Sequence, residues 1–329
     1  MASTVMSKLV RFIKSLARPV VHFIKGLVRQ VASGMKKRQM KVRLLADLSN
    51  AKSGYAEDLT EEDVDLYVTE RFARMPTHVT EKTNDPELVT VTISGKRIYW
   101  PASLPDRDLP WLFHEVFDDF ATNPSSYNNP ELVYRNRKWV IDAGAAEGYF
   151  SVFAIEKAPE ALILSVEPLP LMSKALLQTF ASHENGKRAI VVSAALGDKQ
   201  GWSDIQVDFE HICDSKLLLS TVEATSEVSD SAVQRVPVTT LDQLAIQYSL
   251  GMGGLIKMDI EGYEMAALSG ASNVLKEYKP ALAIAVYHEL ENARKCAEII
   301  KAANSNYKIE FRGCYGYFEP PRPYMLFAT

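Results

Sequence analysis

Cysteine is scarce in this sequence. Its 329 residues include 3 Cys, which form neither a Cys-x-x-Cys pair nor a cluster with histidine. An odd number of widely spaced cysteines argues against a disulfide framework and against a structural zinc site. We interpret Cys213, Cys296 and Cys314 as small core residues of a protein in a reducing compartment, the cytoplasm.

Long hydrophobic runs and early acidic residues are missing as well. No stretch is long and apolar enough to span a bilayer, and the hydrophobic fraction of 47% suits a soluble globular protein. The first 46 positions hold eleven Lys and Arg and no Asp or Glu. The remaining chain carries 26 basic against 41 acidic residues, so two differently charged parts are joined.

The basic first part has the pattern of an amphipathic helix. Between residues 5 and 31, apolar side chains recur at steps of three and four, with basic side chains between them. Such a helix can lie on an anionic membrane surface, which would place the protein peripherally on the inner face of a membrane. Two alternatives are a helix that docks on the protein core and a cleavable organelle presequence. No RNA-binding motif accompanies the positive charge, so a nucleic-acid partner is not expected.

Three regions are predicted along the chain. They are a basic N-terminal helix or arm, a cap region and a cofactor-binding domain, over residues 1–46, 47–137 and 138–329. The cap region begins acidic and helical, with a helix start at Thr60, and continues with a β-hairpin over residues 88–100. Residues 101–137 are irregular around an apolar patch at 111–120, and we expect them to lie over the cofactor edge.

One βαβ unit organises the third region. It consists of a strand, a glycine turn, a helix and a second strand, over residues 139–141, 142–148, 149–157 and 161–166. Gly144 and Gly148 let the backbone approach a ligand, and Glu167 stands where an acid can accept hydrogen bonds from ribose hydroxyls. The turn lacks the Gly-x-Gly-x-x-Gly spacing that seats a pyrophosphate. Its acid, Asp142, suits a cationic amino-acid group, which favours S-adenosylmethionine over NAD or a nucleotide sugar.

Strand and helix patterns continue to alternate after this unit. They predict helices at 171–182, 263–276 and 292–304, a short strand leading into a helix start at 235–242, and strands at 189–194, 204–209, 255–260, 281–286, 307–311 and 324–328. The last two strands follow each other without a long helix between them. The pattern predicts an α/β fold: a doubly wound sheet with an antiparallel edge strand.

Reactive side chains stand at the carboxyl ends of two buried strands. Lys257 and Asp259 interrupt an apolar strand, Glu261 follows, and His288 emerges from the next strand. Open α/β sheets bind ligands at this end, where buried charges have little structural use. We expect His288 or Asp259 to accept the proton of an alcohol acceptor while Lys257 holds Asp259 or Glu261. Two alternatives are that these side chains have purely structural roles and that they bind a divalent metal such as Mg²⁺.

Six short motifs occur in an order that resembles the FkbM-type methyltransferases. They are Val-Ile-Asp-Ala-Gly-Ala from residue 140, Ser-Val-Glu-Pro from 165, Ala-Leu-Gly-Asp from 195, Thr-Thr-Leu-Asp from 239, Ile-Lys-Met-Asp-Ile-Glu-Gly from 256 and Tyr-His from 287. The resemblance implies a class I methyltransferase (Rossmann-like) fold with S-adenosylmethionine as donor. It implies that Asp142, Gly144 and Gly148 line the methionine end of the cofactor, Glu167 the ribose and Asp198 the adenine side. The predicted cofactor-binding set is completed by Ala145, Tyr149 and Pro168.

The same resemblance implies O-methylation of a sugar or another natural-product hydroxyl. If residues 5–31 lie on a membrane, a lipid-linked glycan is the preferred acceptor. The alternative from another class is a non-catalytic, membrane-associated adaptor that keeps the nucleoside-binding fold as a scaffold. The presence of both the cofactor residues and the pair Asp259 and His288 favours the enzyme, because a scaffold has no need for all of them.

Overall fold

The computed structural model of the protein describes residues 34–49, 59–71, 75–207, 216–218 and 232–329. The amphipathic segment 5–31 and Cys213 therefore lie outside the described residues. None of the helices in these ranges combines the length and the apolar character needed to cross a lipid bilayer.

Helices and strands alternate along the described chain. The helices are α1 (34–49), α2 (Glu61–Arg71), α3 (Leu109–Phe117), α4 (Tyr149–Lys157), α5 (Pro170–Ser182), α6 (Leu241–Gln247), α7 (Glu264–Ser269) and α8 (Asn292–Ala303). The strands are β1 (His78–Lys82), β2 (Leu88–Ile93), β3 (Lys96–Pro101), β4 (Trp139–Ala143), β5 (Leu162–Val166), β6 (Ala189–Val192), β7 (Ala195–Leu196), β8 (Gly201–Val207), β9 (Lys216–Leu218), β10 (Ala232–Thr239), β11 (Gly254–Met258), β12 (Ala281–Ala285), β13 (Ile309–Tyr315) and β14 (Arg322–Ala328).

The central sheet has seven strands in the order β6-β5-β4-β11-β12-β14-β13. The first five are parallel, and β14 pairs antiparallel with both β12 and β13. Every residue of β4, β11 and β12 is buried, as expected for parallel strands that are covered on both faces. The predicted doubly wound α/β fold is confirmed, with one refinement: the antiparallel strand β14 lies one position inside the edge, because β13 pairs with its outer side.

Helices cover both faces of this sheet. Phe113 of α3, Phe153 of α4 and Leu176 of α5 belong to one hydrophobic cluster. Leu244 of α6, Leu268 of α7 and Ile300 of α8 belong to the other. The buried Cys296 of α8 is in the second cluster and Cys314 packs beneath α2, which agrees with their interpretation as core residues.

The helix predicted over residues 263–276 is divided in the structure. The helix α7 ends at Ser269, and a separate π-helical turn spans Val274–Tyr278. The Asp242 carboxylate accepts hydrogen bonds from the backbone N–H groups of Asn273 and Val274. It thereby caps a new helical turn, an interaction between distant residues that helical periodicity does not reveal.

A second sheet stands beside the central one, in the order β7-β10-β8-β9. The sequence predicts only two isolated short strands here, whereas β10 pairs antiparallel with β8 and parallel with β7. The buried side chains Ile205, Val207 and Val236 join the same hydrophobic cluster as α3 and α4. This sheet is therefore packed against the hydrophobic core of the domain and is not a polar surface loop.

The cap region contains the predicted hairpin, β2 and β3, with a third strand, β1, at its side. The turn residues Ser94 and Gly95 have φ values of 47° and 81°, as a two-residue hairpin requires. The polar strand β1 was not predicted, because four of its five residues are exposed and no apolar alternation marks it.

The cap region is also joined to the C-terminal strands. Thr60 and Asp63 cap the start of α2 reciprocally, with N···O distances of 3.0 and 3.1 Å, so the predicted helix start is confirmed. The buried Asp63 carboxylate accepts a hydrogen bond of 3.0 Å from the N–H of Gly313 in β13, 250 residues away in sequence. A Cβ at position 313 would lie 2.2 Å from Ser125 Oγ, so the close contact between β13 and Ser125 requires glycine at this position.

Candidate active site

A cavity of about 820 Å³ opens at the carboxyl ends of the central strands. One side is formed by the glycine turn after β4 and by Glu167 and Pro168 after β5. The opposite side is formed by the cap, which includes α3 and Tyr127. The prediction that residues 101–137 lie over the cofactor edge agrees with this arrangement.

The glycine turn is shaped by a close backbone contact. Gly144 has φ +74°, and a Cβ there would lie 1.9 Å from the carbonyl oxygen of Asp259. Gly144 lines the cavity, whereas Gly148, with φ +89°, lies under α5, where a Cβ would meet Leu176 Cδ2 at 2.6 Å. Of the two predicted glycines, Gly144 therefore lets the turn approach the end of β11, and Gly148 starts α4 against α5.

Glu167 lies in the cavity wall with its carboxylate held by backbone groups. Oε2 accepts the N–H of Ala146 at 3.0 Å, and Oε1 accepts the N–H of Leu169 at 2.9 Å. Burial raises the pKa of Glu167 to about 7. Each oxygen can accept another hydrogen bond, so the carboxylate can receive two donors from a ligand in the cavity.

Lys257 and Asp142 form a buried ion pair behind the turn. Lys257 Nζ lies 3.1 Å from Asp142 Oδ1 and donates to the carbonyl oxygen of Gly144 at 2.7 Å. Burial alone would lower the pKa of Lys257, but the charges of Asp142 and Asp259 outweigh burial and raise it. The ion pair in the structure is thus with Asp142, the register partner of Lys257 on β4, where Asp259 or Glu261 was expected.

Asp142 is fully buried, accepts a hydrogen bond of 2.6 Å from Ser151 Oγ and stands behind the surface of the cavity. It supports the turn through Lys257.

The acceptor edge, Asp259 and Glu261, follows β11. Asp259 Oδ2 accepts a hydrogen bond of 3.3 Å from the Tyr127 hydroxyl, and both acids line the cavity. His288 Nε2 lies 3.3 Å from Asp259 Oδ1 and 3.3 Å from Glu261 Oε2. The structure therefore brings the predicted group together at one end of the cavity.

His288 is the centre of this group and is buried, with 8% of its side chain exposed. Its Nδ1 lies 3.3 Å from the fully buried Glu264 carboxylate. Burial would lower the pKa of His288, but Glu261, Glu264 and Asp259 outweigh burial and raise it well above its ordinary value. In the ligand-free protein the raised pKa favours the protonated ring, and of the two predicted bases Asp259 is the one that lines the cavity.

Five predicted cofactor residues lie away from the cavity surface: Asp142, Ala145, Gly148, Tyr149 and Asp198. Tyr149 packs edge-on against Phe113, with ring centroids 5.6 Å apart, because the start of α4 turns Tyr149 towards α3 and its neighbour Phe150 into the cavity. Asp198 is exposed after β7. The wall beside Glu167 is instead apolar and consists of Ala194, Ala195, Leu196 and Ile205.

Several cavity residues were not predicted, above all Glu115 and Tyr127 of the cap. Glu115 Oε1 accepts hydrogen bonds from Trp111 Nε1 at 2.8 Å and from the Tyr324 hydroxyl. Burial, together with the charge of Asp259, raises the pKa of Glu115 to about 8. The available signal was a carboxylate between the apolar residues Phe113 and Val116, ahead of the acids Asp118 and Asp119.

Glu147, in the turn itself, was also missed as a cavity residue. Burial raises its pKa to about 7. Its neighbour Ala146 adopts a left-handed φ of +38°, a conformation that the sequence does not predict.

Residues 142–308 match the family described as the Methyltransferase FkbM domain. The chain is also 26% identical over 199 residues to "Methyltransferase sdnD" of Sordaria araneosa, and the alignment covers 60% of this chain and 66% of that protein. The chain thus spans slightly less than two thirds of that relative.

Solved structures resemble it more distantly. Methyltransferase FkbM from Methylobacillus flagellatus KT is 20% identical, with a TM-score of 0.42 over 68% of this chain and 59% of that chain. Aeropyrum pernix fibrillarin, crystallised with natively bound S-adenosyl-L-methionine, is 9% identical, with a TM-score of 0.37 over 78% of this chain and 100% of that chain.

The family match extends from β4 to the segment before β13 and covers half of the chain. It includes Glu167, the ion pair of Lys257 and Asp142, and the acceptor edge with His288. The chain belongs to the FkbM methyltransferase family.

Proposed function

We propose that the protein transfers a methyl group from S-adenosylmethionine to a hydroxyl oxygen of a small-molecule acceptor. The observation that carries this proposal is one cavity that is lined by Glu167 at the end of β5 and by Asp259 at the end of β11. Its volume of about 820 Å³ lies in the upper part of the range of roughly 300–1,000 Å³ for ligand pockets. That volume leaves room for an acceptor beside a nucleoside.

The residues at the first end fit the cofactor. The Glu167 carboxylate can accept the two ribose hydroxyls, and the apolar wall at Ala194–Leu196 and Ile205 suits a flat base. Glu147 lines the cavity at the turn, where its carboxyl group can accept a hydrogen bond from the amino-acid end of the cofactor. Position 144 has no space for a Cβ, so it carries no side chain that could keep a ligand away from the backbone of the turn.

The cofactor supplies a methyl carbon on a sulfonium: a C–O bond forms to the acceptor oxygen as the C–S bond breaks, and the bonding pair stays on sulfur. The protein must remove the proton of the hydroxyl and align the acceptor. Asp259 takes the proton on Oδ2, the oxygen that receives the Tyr127 hydroxyl. The His288 ring, whose Nε2 lies 3.3 Å from Oδ1, keeps the carboxylate in place.

For the acceptor we propose a hydroxyl of a sugar, a glycan or a related natural product. Three aromatic side chains, Trp111, Tyr315 and Tyr317, line the cavity away from Glu167, and their flat faces can hold a ring.

A lipid-linked acceptor requires residues 5–31 to lie on a membrane. Liposome flotation of the full chain and of a variant lacking residues 1–46 tests this, and equal flotation of the two would contradict it.

Calorimetry with S-adenosylhomocysteine tests the proposal directly. We expect micromolar binding, weakened about 10- to 100-fold in Glu167→Gln, since a hydrogen bond to a charged group is worth about 1.5–3 kcal/mol. Asp198→Asn is the matched control and should bind like the wild type. No binding at tens of micromolar would refute the cofactor.

Transfer of a labelled methyl group to a host glycan and lipid extract distinguishes the enzyme from the adaptor. The adaptor would bind the nucleoside without turnover.

A further inference from the structure

Three carboxylates converge on one imidazole at the acceptor edge. Ligand atoms of Asp259, Glu264 and His288 all lie within 4.8 Å of one another, and Glu261 Oε2 lies 3.3 Å from His288 Nε2. Lys257 is paired with Asp142, and the Arg322 guanidinium donates to the backbone carbonyl oxygen of His288. Three carboxylates therefore face a single imidazole beside the cavity.

His288 is buried without a well-formed hydrogen bond. Neither ring nitrogen has a hydrogen-bond partner of good geometry within the described ranges, and Asp259 Oδ1 is in the same condition. With only 8% of its side chain exposed, His288 also has little access to water. Unpaired buried polar atoms are costly, and here two of them, Nε2 and Oδ1, face each other across 3.3 Å.

The distance from the ring nitrogen to each of two acids fits that between neighbouring ligands of a small ion. Asp259 Oδ1 and Glu261 Oε2 each lie 3.3 Å from His288 Nε2. Ligands bonded at about 2.1–2.3 Å and at right angles are roughly 3.0–3.3 Å apart. Because Asp259 and Glu261 line the cavity, an ion between them and the ring would have its open positions towards the acceptor.

Glu264 has a different task in this group. Its Oε1 accepts the N–H groups of Ile260 and Gly262 at 3.1 and 3.3 Å, and its Oε2 accepts the Asn292 amide at 2.8 Å. It faces His288 Nδ1 at 3.3 Å. A carboxylate on one ring nitrogen, behind a histidine whose other nitrogen faces oxygen ligands, is the arrangement that orients metal-binding histidines.

On the basis of the methyl-transfer function above, we propose that Asp259 Oδ1, Glu261 and His288 Nε2 bind one divalent cation of the Mg²⁺ or Mn²⁺ class. Carboxylate ligands favour these hard ions. The ion would bind the acceptor hydroxyl and lower its pKa. The proton then passes to Asp259 Oδ2, and the electron pair it leaves on oxygen forms the new C–O bond.

The test uses Mn²⁺ and electron paramagnetic resonance on the full chain after treatment with a chelator. We expect one bound Mn²⁺ with a nitrogen coupling from the imidazole, competed by Mg²⁺. Affinity should fall by a factor of about 10–100 or more in Asp259→Asn and His288→Gln. Glu298→Gln, an exposed acid on α8, is the control and should bind Mn²⁺ like the wild type.

Absence of Mn²⁺ binding up to 1 mM, or binding without a nitrogen coupling in the wild type, would overturn the cation site; His288 would then serve only as a charged partner of the acids. The nitrogen coupling is read on the wild-type chain, so it does not depend on the variants folding. Calorimetry with S-adenosylhomocysteine on the same metal-free preparation separates the two proposals. Retained nucleoside binding with no Mn²⁺ site refutes the cation alone, whereas loss of nucleoside binding refutes the methyl-transfer proposal.

Discussion

Lys257 and Asp142 are register partners on the adjacent parallel strands β11 and β4, and their charged groups meet at 3.1 Å inside the protein. Replacing one partner leaves an unpaired buried charge, which typically costs about 3–5 kcal/mol. We expect Lys257→Met to lower the free energy of unfolding by this amount. The double variant Lys257→Met with Asp142→Leu should recover most of it, because no charge is then buried.

Urea unfolding of the ligand-free protein measures this effect. Lys276→Met is the matched control, since the Lys276 side chain is 69% exposed and its partner is the exposed Glu277. A loss below about 1 kcal/mol in Lys257→Met, the value typical of a surface pair, would contradict a buried structural role.

Gly144→Ala should abolish nucleoside binding. The new Cβ would lie 1.9 Å from the carbonyl oxygen of Asp259, so the turn must move away from the end of β11. Gly201→Ala, on β8, has no atom within 4 Å of its new Cβ and is the control. Calorimetry with S-adenosylhomocysteine should show at least a 100-fold loss for the first variant and none for the second. Equal affinities would show that the turn is not part of the binding site.

The ligand-free protein should lose stability as the pH rises through neutrality. Burial raises the pKa of Glu147 from 4.5 to about 7, so the folded state holds this proton more tightly than the unfolded state. The contribution is complete below about pH 4.5 and is lost as the pH approaches 7, with a size of roughly 3 kcal/mol. Glu115 and Glu167, whose pKa values are also raised by burial, act in the same direction.

Glu147→Gln should flatten this dependence, because a neutral amide does not titrate. Urea unfolding at pH 5 and pH 8 measures the change, with Glu298→Gln as the exposed control. The same difference between the two pH values in Glu147→Gln and in the wild type would rule out Glu147 as its source.

Asp259→Asn should slow methyl transfer with little effect on nucleoside affinity. Removal of a general base typically costs about 10²- to 10⁴-fold in rate, and Asp259 follows β11 whereas Glu167 follows β5, with β4 between the two strands. Turnover with labelled cofactor and calorimetry with S-adenosylhomocysteine measure the two effects separately. Full turnover by this variant would remove Asp259 from the mechanism.

The central sheet was predictable because its strands have strong and local signals. Residues 281–286 are continuously apolar, and β12 occupies Ala281–Ala285. The family inferred from the six motifs is also confirmed. What the sequence did not predict depends on contacts between distant segments, as with the polar strand β1 or the new helical turn that Asp242 caps.

The candidate site was predictable where strand ends converge. Residues that follow parallel strands share one edge of the sheet, and for this reason Glu167, Asp259 and Glu261 all reach the cavity. Partners and side-chain directions were not predictable in the same way. Lys257 has acids on two sides, and the sequence alone does not show which of them it pairs with. Glu115 reaches the cavity from a helix, and the rule that parallel strand ends share one edge does not apply to a helix.

The hydrogen bond between Asp63 and Gly313 bears on the order in which the molecule folds. The unit β4-α4-β5 contains contacts between near neighbours in sequence, which close early because short loops lose little entropy. The α2 contact to β13 spans 250 residues, so it cannot form during synthesis until nearly the whole polypeptide has left the ribosome. The glycine turn can therefore form before α2 and β13 come together, and we expect this contact to be made late in folding.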